Sequence, residues 1–216
     1  MMNLFNIFDP STTIFNLEIN WISTLLIIMM MPNFIWMMPN RMNWIMFKMY
    51  NLLNNEMLML YKMKKTKSPA FMFISLFMFI LINNFMSLFP YIFSSSSHMI
   101  FSTTLALPFW MFYIILSTCK NTKNMIAHLI PLNTPIYLAP LMAIIETMSI
   151  LIRPLSLSIR LTANLIAGHL LMTLLNFNSL MIIIIFIQMF MMMFELCVAL
   201  IQSYVFSILS SLYSSE

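Results

Sequence analysis

Long apolar segments separated by short polar ones set the pattern of this chain. Leu, Ile, Met and Phe dominate residues 14–31, 70–89, 99–118, 135–175 and 179–213. A helix that crosses a bilayer needs about 20 mostly apolar residues, with a range of about 17 to 25. Each segment reaches that range or exceeds it. The pattern therefore predicts an all-α integral membrane protein with about five membrane helices.

Residues 41–67 follow a different pattern, in which apolar and polar positions interleave. Apolar residues such as Trp44 and Leu52 alternate with polar ones such as Lys48, and a basic run closes the segment at residues 62–67. This pattern is typical of an amphipathic helix that lies on a membrane surface. The basic run itself is most simply an anchor for topology and lipid head groups.

The last two apolar segments are too long to cross a bilayer upright. At about 1.5 Å per residue, residues 135–175 would form a helix of about 60 Å and residues 179–213 one of about 52 Å, against a hydrocarbon core of about 30 Å. Residues 176–178 (Asn-Phe-Asn) form the only obvious turn between them. We therefore predict two long, strongly tilted helices in an antiparallel hairpin, with a bend at Pro154.

Composition excludes a soluble domain. Hydrophobic residues make up 62% of the 216 residues and charged ones 7%, whereas a soluble domain has about 25% charged residues. The net charge of +4 lies in the loops and indicates no nucleic-acid partner. Cys119 and Cys197 have no metal-site spacing, so neither a disulfide framework nor a metal site is predicted. Residues 1–10 lack a basic region and a cleavage site, so we expect the first segment to remain a span.

The basic residues predict the orientation of the chain. All Lys and Arg residues except Arg153 and Arg160 lie after the first or the third predicted span. Because cytoplasmic or matrix-side loops carry the excess of Lys and Arg, the amino terminus is expected outside and the carboxyl terminus inside. This arrangement requires an odd number of crossings.

Arg153 and Arg160 lie within apolar sequence and need a different explanation. A charged side chain at the centre of a bilayer costs between about 2.5 and 17 kcal/mol, and it normally faces a partner or a wet cavity. Arg160 is therefore a candidate functional residue. The alternative is an arginine that only holds helices together through carbonyl or carboxylate bonds.

Projection of residues 135–175 as a helix, at about 100° per residue, separates their polar side chains. One group lies within about 40° of Arg160 and forms a stripe along the helix. His169 lies about 180° away, on the opposite side, with Gly168 beside it. The members of the stripe are Glu146, Ser149, Arg153, Ser156, Arg160 and Asn164.

The last segment carries a second polar face, formed by Gln188, Glu195 and Gln202 at intervals of seven residues. Two ionisable faces indicate two separate wet routes. The glutamines and serines could equally serve as hydrogen bonds between helices. That alternative is poor for Glu146, Glu195 and His169, because a buried ionisable group without water or a partner is driven towards its neutral form.

Two motifs carry a resemblance to a known family. In residues 158–169, Arg160 stands four residues before Asn164 and nine before His169, and further on Glu195 stands seven before Gln202. In these motifs, and in length, topology and segment order, the chain resembles the membrane subunit a of mitochondrial F-type ATP synthases. The resemblance extends over essentially the whole chain.

The resemblance implies a stator subunit that forms two proton half-channels against a rotating c-ring and couples proton translocation to ATP synthesis. Arg160 would face the ring carboxylate and separate the half-channels. His169 and Glu195 would line the half-channel from the intermembrane side, and Glu146 would belong to the matrix side. The further residues implied on the proton path are Gln202 and Asn164, with Arg153, Gln188 and Ser156 as possible helpers.

The resemblance also implies partners and location. The partners would be the c-ring, the peripheral stalk and other membrane subunits of the synthase, the lipid bilayer with cardiolipin at the basic surface helix, and protons. We expect no cofactor, no metal and no catalytic site on this chain. The location would be the mitochondrial inner membrane, with the amino terminus in the intermembrane space and the carboxyl terminus in the matrix.

Three other functions are alternatives to this one. A haem or quinone subunit of another respiratory complex needs paired histidines on facing spans, but His98 lies at a span edge and His128 in a loop. A transporter would show internal repeats and broken helices, and neither is visible. A purely structural scaffold would leave Arg160 and Glu195 without a purpose.

Overall fold

The computed structural model describes residues 7–12, 17–29, 40–60, 68–89, 91–120, 122–130, 135–175 and 181–215. Within these ranges the chain forms seven α-helices and no strand. The prediction of an all-α membrane protein is confirmed, while the number of crossings and the tilt stay predictions. The helices are α1 (Ile22–Met29), α2 (Arg41–Leu60), α3 (Ser68–Ser87), α4 (Met99–Lys120), α5 (Thr122–His128), α6 (Ala139–Leu175) and α7 (Met181–Ser215).

Three of the described helices are long and apolar enough to cross a membrane. They contain the apolar stretches Met99–Leu116 in α4, Ala139–Leu175 in α6 and Ile184–Leu212 in α7. A shorter apolar stretch, Phe71–Ser87, lies in α3. The short helix α5, which follows α4 directly, has no counterpart in the sequence-based prediction.

The first apolar segment, predicted as a span over residues 14–31, begins its helix later than expected. The backbone N–H and the hydroxyl of Thr12 both donate to the carbonyl oxygen of Leu17, at 3.0 and 2.7 Å. A 3-10 turn follows at Ile19–Trp21, and α1 starts only at Ile22. Residues 13–16 and 30–39 lie outside the described residues, so the full length of this span stays a prediction.

Helix α2 corresponds to the predicted amphipathic segment, of which residues 61–67 lie outside the described residues. Its Trp44 and Leu52 side chains are exposed, as a face in contact with lipid would be in the isolated chain. On the opposite side Met57 is fully buried and packs with Ile74 of α3 and Ile208 of α7. The chain thus holds α2 against its membrane helices.

Helices α6 and α7 form an antiparallel pair. Pro154 and Ser210 line one small cavity, and Gly168 meets Glu195. Residue numbers therefore rise along α6 from Pro154 to Gly168, while they fall along the facing part of α7 from Ser210 to Glu195. α6 runs through Pro154 as one helix, so the predicted bend there is not a break in the helix.

One apolar core joins four helices. In lipid, helices associate through close packing and small residues, because the surrounding lipid tails are as apolar as the helices themselves. The core therefore depends on shape complementarity between side chains. Its buried members are Phe73, Leu76 and Ile80 of α3, Ala106 of α4, Leu157, Leu161 and Leu165 of α6, and Phe206 of α7.

Small residues for this packing come mainly from serine, because Gly168 is the single glycine of the chain. Ser203, Ser207 and Ser211 are fully buried along one face of α7. Each hydroxyl donates to a backbone carbonyl three residues earlier in its own helix, at 2.7–2.9 Å. Since the polar group is satisfied within the helix, the serine presents a small surface to its neighbours.

We expect Tyr204→Phe to loosen α2 from α7. The Tyr204 hydroxyl donates to Oε2 of Glu56 at 3.0 Å. Both residues are partly exposed, so the loss should be about 1 kcal/mol, within the usual range for one hydrogen bond. Tryptic cleavage at Lys48 in the solubilised complex should then accelerate up to about fivefold. Tyr137→Phe is the control, since Tyr137 is 95% exposed; equal rates for the two variants would contradict the prediction.

Candidate functional site

Arg160 lies on the outer surface of the helix bundle. One face of α6 contributes Leu157, Leu161 and Leu165 to the core. Arg160 projects from another face of α6, where it is exposed. In the part of the chain that the structure describes, no hydrogen bond or ion pair involves its guanidinium group. The chain therefore presents a permanent cation outward from an apolar helix.

Two polar neighbours predicted for Arg160 lie close to its level. The antiparallel register described above places Gln202 of α7 level with Arg160 to within about one turn, and Gln202 is half-buried. Asn164 follows Arg160 by one helical turn and is also half-buried. Ser156, one turn before Arg160, donates its hydroxyl to the carbonyl oxygen of Arg153 at 2.9 Å.

Glu146 and Arg153 form an ion pair near the start of α6. Arg153 Nη2 lies 3.7 Å from Glu146 Oε1, and the two side chains are 35% and 40% exposed. An ion pair this exposed adds little stability, about 0 to 1 kcal/mol. The structure brings Arg153 and Glu146 together, and the role of Arg153 as an anchor or a helper of Glu146 stays a prediction.

A carboxylate lies against the single glycine of the chain. A Cβ atom placed on Gly168 would be 2.7 Å from Cδ and 2.8 Å from Oε1 of Glu195. Such distances are shorter than van der Waals contact, so only glycine leaves room for the carboxylate here. Gly168 thus allows Glu195 of α7 to reach the backbone of α6 beside His169.

His169 lies in a pocket built by three parts of the chain. Its imidazole lies beside the backbone of Ser87 at the end of α3, and the ring of Phe8 meets it edge-on with centroids 6.1 Å apart. His169 Nε2 and Glu195 Oε1 are buried, and neither has a hydrogen-bond partner within the described ranges. The His169 imidazole and the Glu195 carboxylate, which can both bind a proton, thus lie on one side of the α6–α7 contact. Each has one buried atom without a hydrogen-bond partner in the described ranges.

The ionisable groups fall on either side of Arg160 along α6. At about 1.5 Å per residue, His169 lies about 14 Å from Arg160 towards one end of the helix. Glu146 lies about 21 Å away towards the other end. The His169–Glu195 pair and the Glu146–Arg153 pair are therefore separate sites, with Arg160 at a level between them.

Two further predicted polar positions are Gln188 on α7 and Ser149 on α6. Gln188 is half-buried two turns before Glu195 on α7, and among the described residues it makes no hydrogen bond. Ser149 donates its hydroxyl to the carbonyl oxygen of Glu146 at 2.8 Å. Among the described residues, no group of three or more His, Cys, Asp and Glu side chains could hold a metal ion.

Sequence reasoning missed three features of the His169 site. These are the contact of Gly168 with Glu195, the proximity of the Ser87 backbone to His169 and the edge-on contact of Phe8 with the imidazole. The uniqueness of Gly168 was a usable signal, because an isolated glycine within a helix often marks a close approach. Ser87 and Phe8 are too distant in sequence from His169 to be connected with it by any local pattern.

Comparison with known proteins identifies the family. The family model described as ATP synthase A chain matches residues 17–215. The chain belongs to the ATP synthase A chain family. It is 90% identical over 214 residues to the ATP synthase F(0) complex subunit a of Rhopalosiphum padi, covering 99% of each chain. It is 47% identical to ATP synthase subunit a of Locusta migratoria and 46% identical to that of Drosophila melanogaster, in each case over 100% of this chain and 99% of the relative.

Membership in this family establishes the role of the chain. It is the proton-translocating stator subunit of the F0 membrane sector, and it works with the c-ring and the other ATP synthase subunits. It is a multi-pass protein of the mitochondrial inner membrane. A subunit of another respiratory complex and a transporter, the alternatives weighed from the sequence, are not favoured.

We expect Gly168→Ala to preserve assembly but to slow proton transport. The added methyl group would displace the Glu195 carboxylate, which is the mobile end of its side chain, so the backbone need not move. Displacing a reacting group by 1 Å can cost up to about 100-fold in rate. The measurement is proton-driven ATP synthesis by the assembled complex.

The shorter side chain of Glu195→Asp provides the control for this prediction. Combined with Gly168→Ala, it should restore part of the lost rate, because the retracted carboxylate no longer meets the new methyl group. A Gly168→Ala variant with undiminished synthesis would show that the position of the Glu195 carboxylate is not critical.

Proposed function

We propose that this chain forms two proton half-channels that meet the c-ring on either side of Arg160. One half-channel, the inlet, contains His169 and Glu195. The other, the outlet, contains Glu146 with Arg153 beside it. The observation that carries the proposal is the exposure of Arg160 on an apolar helix without a partner in the described part of the chain.

An unpaired guanidinium in a membrane needs a counter-charge from outside the chain. Arginine stays protonated at any physiological pH, so it cannot escape the cost of burial by losing its proton. A carboxylate on the c-ring would satisfy this charge each time it passes. Gln202 and Asn164 lie within about one helical turn of Arg160 along the helix axis. They would hold the approaching c-ring carboxylate in place by hydrogen bonds.

The inlet delivers a proton to the ring. His169 Nε2 and Glu195 Oε1 are both buried without a partner among the described residues, and each can accept a proton and pass it on. When the ring carboxylate takes this proton it becomes neutral. It can then leave Arg160 and face lipid, because the cost of placing a charge in hydrocarbon has been removed.

The outlet accepts the proton after nearly a full rotation. Glu146 lies on the same face of α6 as Arg160 by helical projection, so a ring carboxylate that approaches Arg160 along this face can lose its proton there. Arg160 then stabilises the ionised carboxylate. It also repels protons that would pass directly from inlet to outlet.

The membrane potential supplies the free energy for rotation. Each elementary charge that crosses 100 mV contributes about 2.3 kcal/mol. The chain uses this energy only if a proton cannot cross without turning the ring. The separation of His169 from Glu146 along α6 supports such an obligatory route, because one ring carboxylate cannot reach both sites at once.

We further propose the orientation predicted from the basic residues. The amino terminus would lie in the intermembrane space and the carboxyl terminus in the matrix. Arg41 and Lys48 of α2 and the basic run at residues 62–67 would then lie against the anionic lipids of the matrix leaflet, with cardiolipin as a ligand. Exposed Trp44, with Lys48 Nζ 5.4 Å from the centre of its ring, suits the interface between water and lipid.

We expect Arg160→Gln to abolish ATP synthesis and to raise the passive proton leak through the assembled complex. The substitution keeps a polar side chain but removes the charge that separates the two half-channels. Both quantities are measured in membrane vesicles, with assembly confirmed by the subunit composition of the purified complex. Synthesis near the wild-type rate would reject the proposal.

Arg153→Gln is the matched comparison for this test. It removes a positive charge from the same helix about two turns away, where the arginine already has a carboxylate partner in Glu146. The proposal requires that Arg153→Gln lose less ATP synthesis than Arg160→Gln and show no raised proton leak. Equal defects in the two variants would indicate that any positive charge on this face suffices.

A further inference from the structure

Helix α2 contacts α7 through a small group of residues that lies outside the two proton sites. Tyr204 and Ile208 are one helical turn apart on α7, and their partners Glu56 and Met57 are consecutive residues of α2. The Tyr204 hydroxyl donates to Glu56 Oε2 at 3.0 Å, and Ile208 packs against the buried cluster that contains Met57. We use the name brace for these four residues.

Helix α3 supports the brace from a second side. The ring of Tyr204 meets the ring of Phe77 edge-on, with centroids 6.5 Å apart. Ile74 of α3 is buried together with Met57. Because each pair among α2, α3 and α7 is in contact, α2 lies along the junction of the other two helices and fixes α7 against α3.

The brace lies on the face of α7 opposite to its polar face. At about 100° per residue, Tyr204 is about 200° from Gln202 and about 180° from Glu195. Helix α6 lies on the side of Glu195, since Gly168 of α6 meets that carboxylate. Helix α7 is therefore held between α6 on one side and α2 on the other, and α2 opposes any movement of α7 away from α6.

The brace also acts at the level of Arg160. Tyr204 follows Gln202 by two residues, which is about 3 Å along the helix axis. The antiparallel register of α6 and α7 places Gln202 within about one turn of the level of Arg160. Support from α2 therefore reaches α7 beside the proposed ring-facing charge, and not at a free end of the helix.

The outer face of α2 suits attachment to the membrane surface. Lys48 is about 180° from Met57 around the helix, and its Nζ lies 5.4 Å from the centre of the exposed Trp44 ring. Tryptophan is enriched where lipid meets water. One face of α2 thus contacts α7, while the other can bind the membrane surface, which stays fixed as the ring turns.

We propose that the brace positions α7 for proton transport, with Glu56 and Tyr204 as positioning residues. Neither residue carries a proton in this scheme. Without the brace, α7 moves away from α6 and Gln202 loses its place beside Arg160, so a proton can pass Arg160 without turning the ring. The inference rests on the proposed function of Arg160 as the charge that separates the half-channels.

Tyr204→Phe and Glu56→Ala each remove the bond between α2 and α7, from opposite ends. Inverted membrane vesicles with the assembled complex give two readouts, the passive proton leak and the number of protons pumped per ATP hydrolysed. We expect both variants to raise the leak several-fold and to pump fewer protons per ATP. A residue that only stabilised the fold would reduce the amount of assembled complex and leave the pumping ratio unchanged.

Two further variants show whether the hydrogen bond itself is responsible. The double variant of Glu56→Ala and Tyr204→Phe should be no worse than either single variant, because both remove the same interaction. Glu56→Gln should keep most of the pumping ratio, since its amide oxygen can still accept the Tyr204 hydroxyl. Asn55→Ala is the matched control, because Asn55 is the exposed neighbour of Glu56 on α2 and should pump normally.

Four outcomes would overturn the brace. An unchanged pumping ratio in both single variants, with faster tryptic cleavage at Lys48, would show that α2 is only packed on α7. Additive losses in the double variant would mean that the two residues act separately. Glu56→Gln as defective as Glu56→Ala would make the charge responsible, and not the bond. An equal defect in Asn55→Ala would mean that any change in α2 has this effect.

Arg160→Gln in the same vesicles separates failure of the brace from failure of the proposed function. If Arg160→Gln raises the leak and the brace variants do not, the brace alone is wrong. If Arg160→Gln causes no leak, the separation of half-channels by Arg160 is wrong, and the brace has no charge to protect.

Discussion

A cation that cannot lose its proton, placed on the outer face of an apolar helix, is the constraint on which the rest of this structure depends. Arg160 has no counter-charge in the described part of its own chain, and lipid cannot stabilise it. The charge is tolerable only if another subunit completes the site. The isolated chain is therefore half of a functional surface, and the c-ring is the partner on which the proposed mechanism relies.

The two long helices give this surface its register. α6 carries Arg160, His169 and Glu146, so the distances between them along the helix follow from a single rigid element. α7 adds Glu195 and Gln202 at matching levels because the two helices run antiparallel. Gly168 lets the Glu195 carboxylate of α7 approach the backbone of α6 closely.

The two proton sites differ in their surroundings, and this difference suits the roles proposed for them. The Glu146–Arg153 pair is partly exposed, so a proton released there would reach water readily. The His169–Glu195 pair is more enclosed, since His169 Nε2 and Glu195 Oε1 are both buried and Phe8 covers the imidazole edge-on.

The sequence by itself determined the all-α membrane fold, the two unusually long final helices, and the stripe that contains Glu146, Arg153 and Arg160. These follow from hydropathy and helical periodicity, which repeat over a few residues and need no knowledge of packing. Only the tertiary structure decided that α1 starts at Ile22, that Glu195 lies against Gly168 and that Glu56 pairs with Tyr204. Each of these joins residues that no local repeat relates, or depends on a loop whose hydrogen bonds compete with the helix. The register of one helix against another decides such contacts, and that register arises from the packing of the whole bundle.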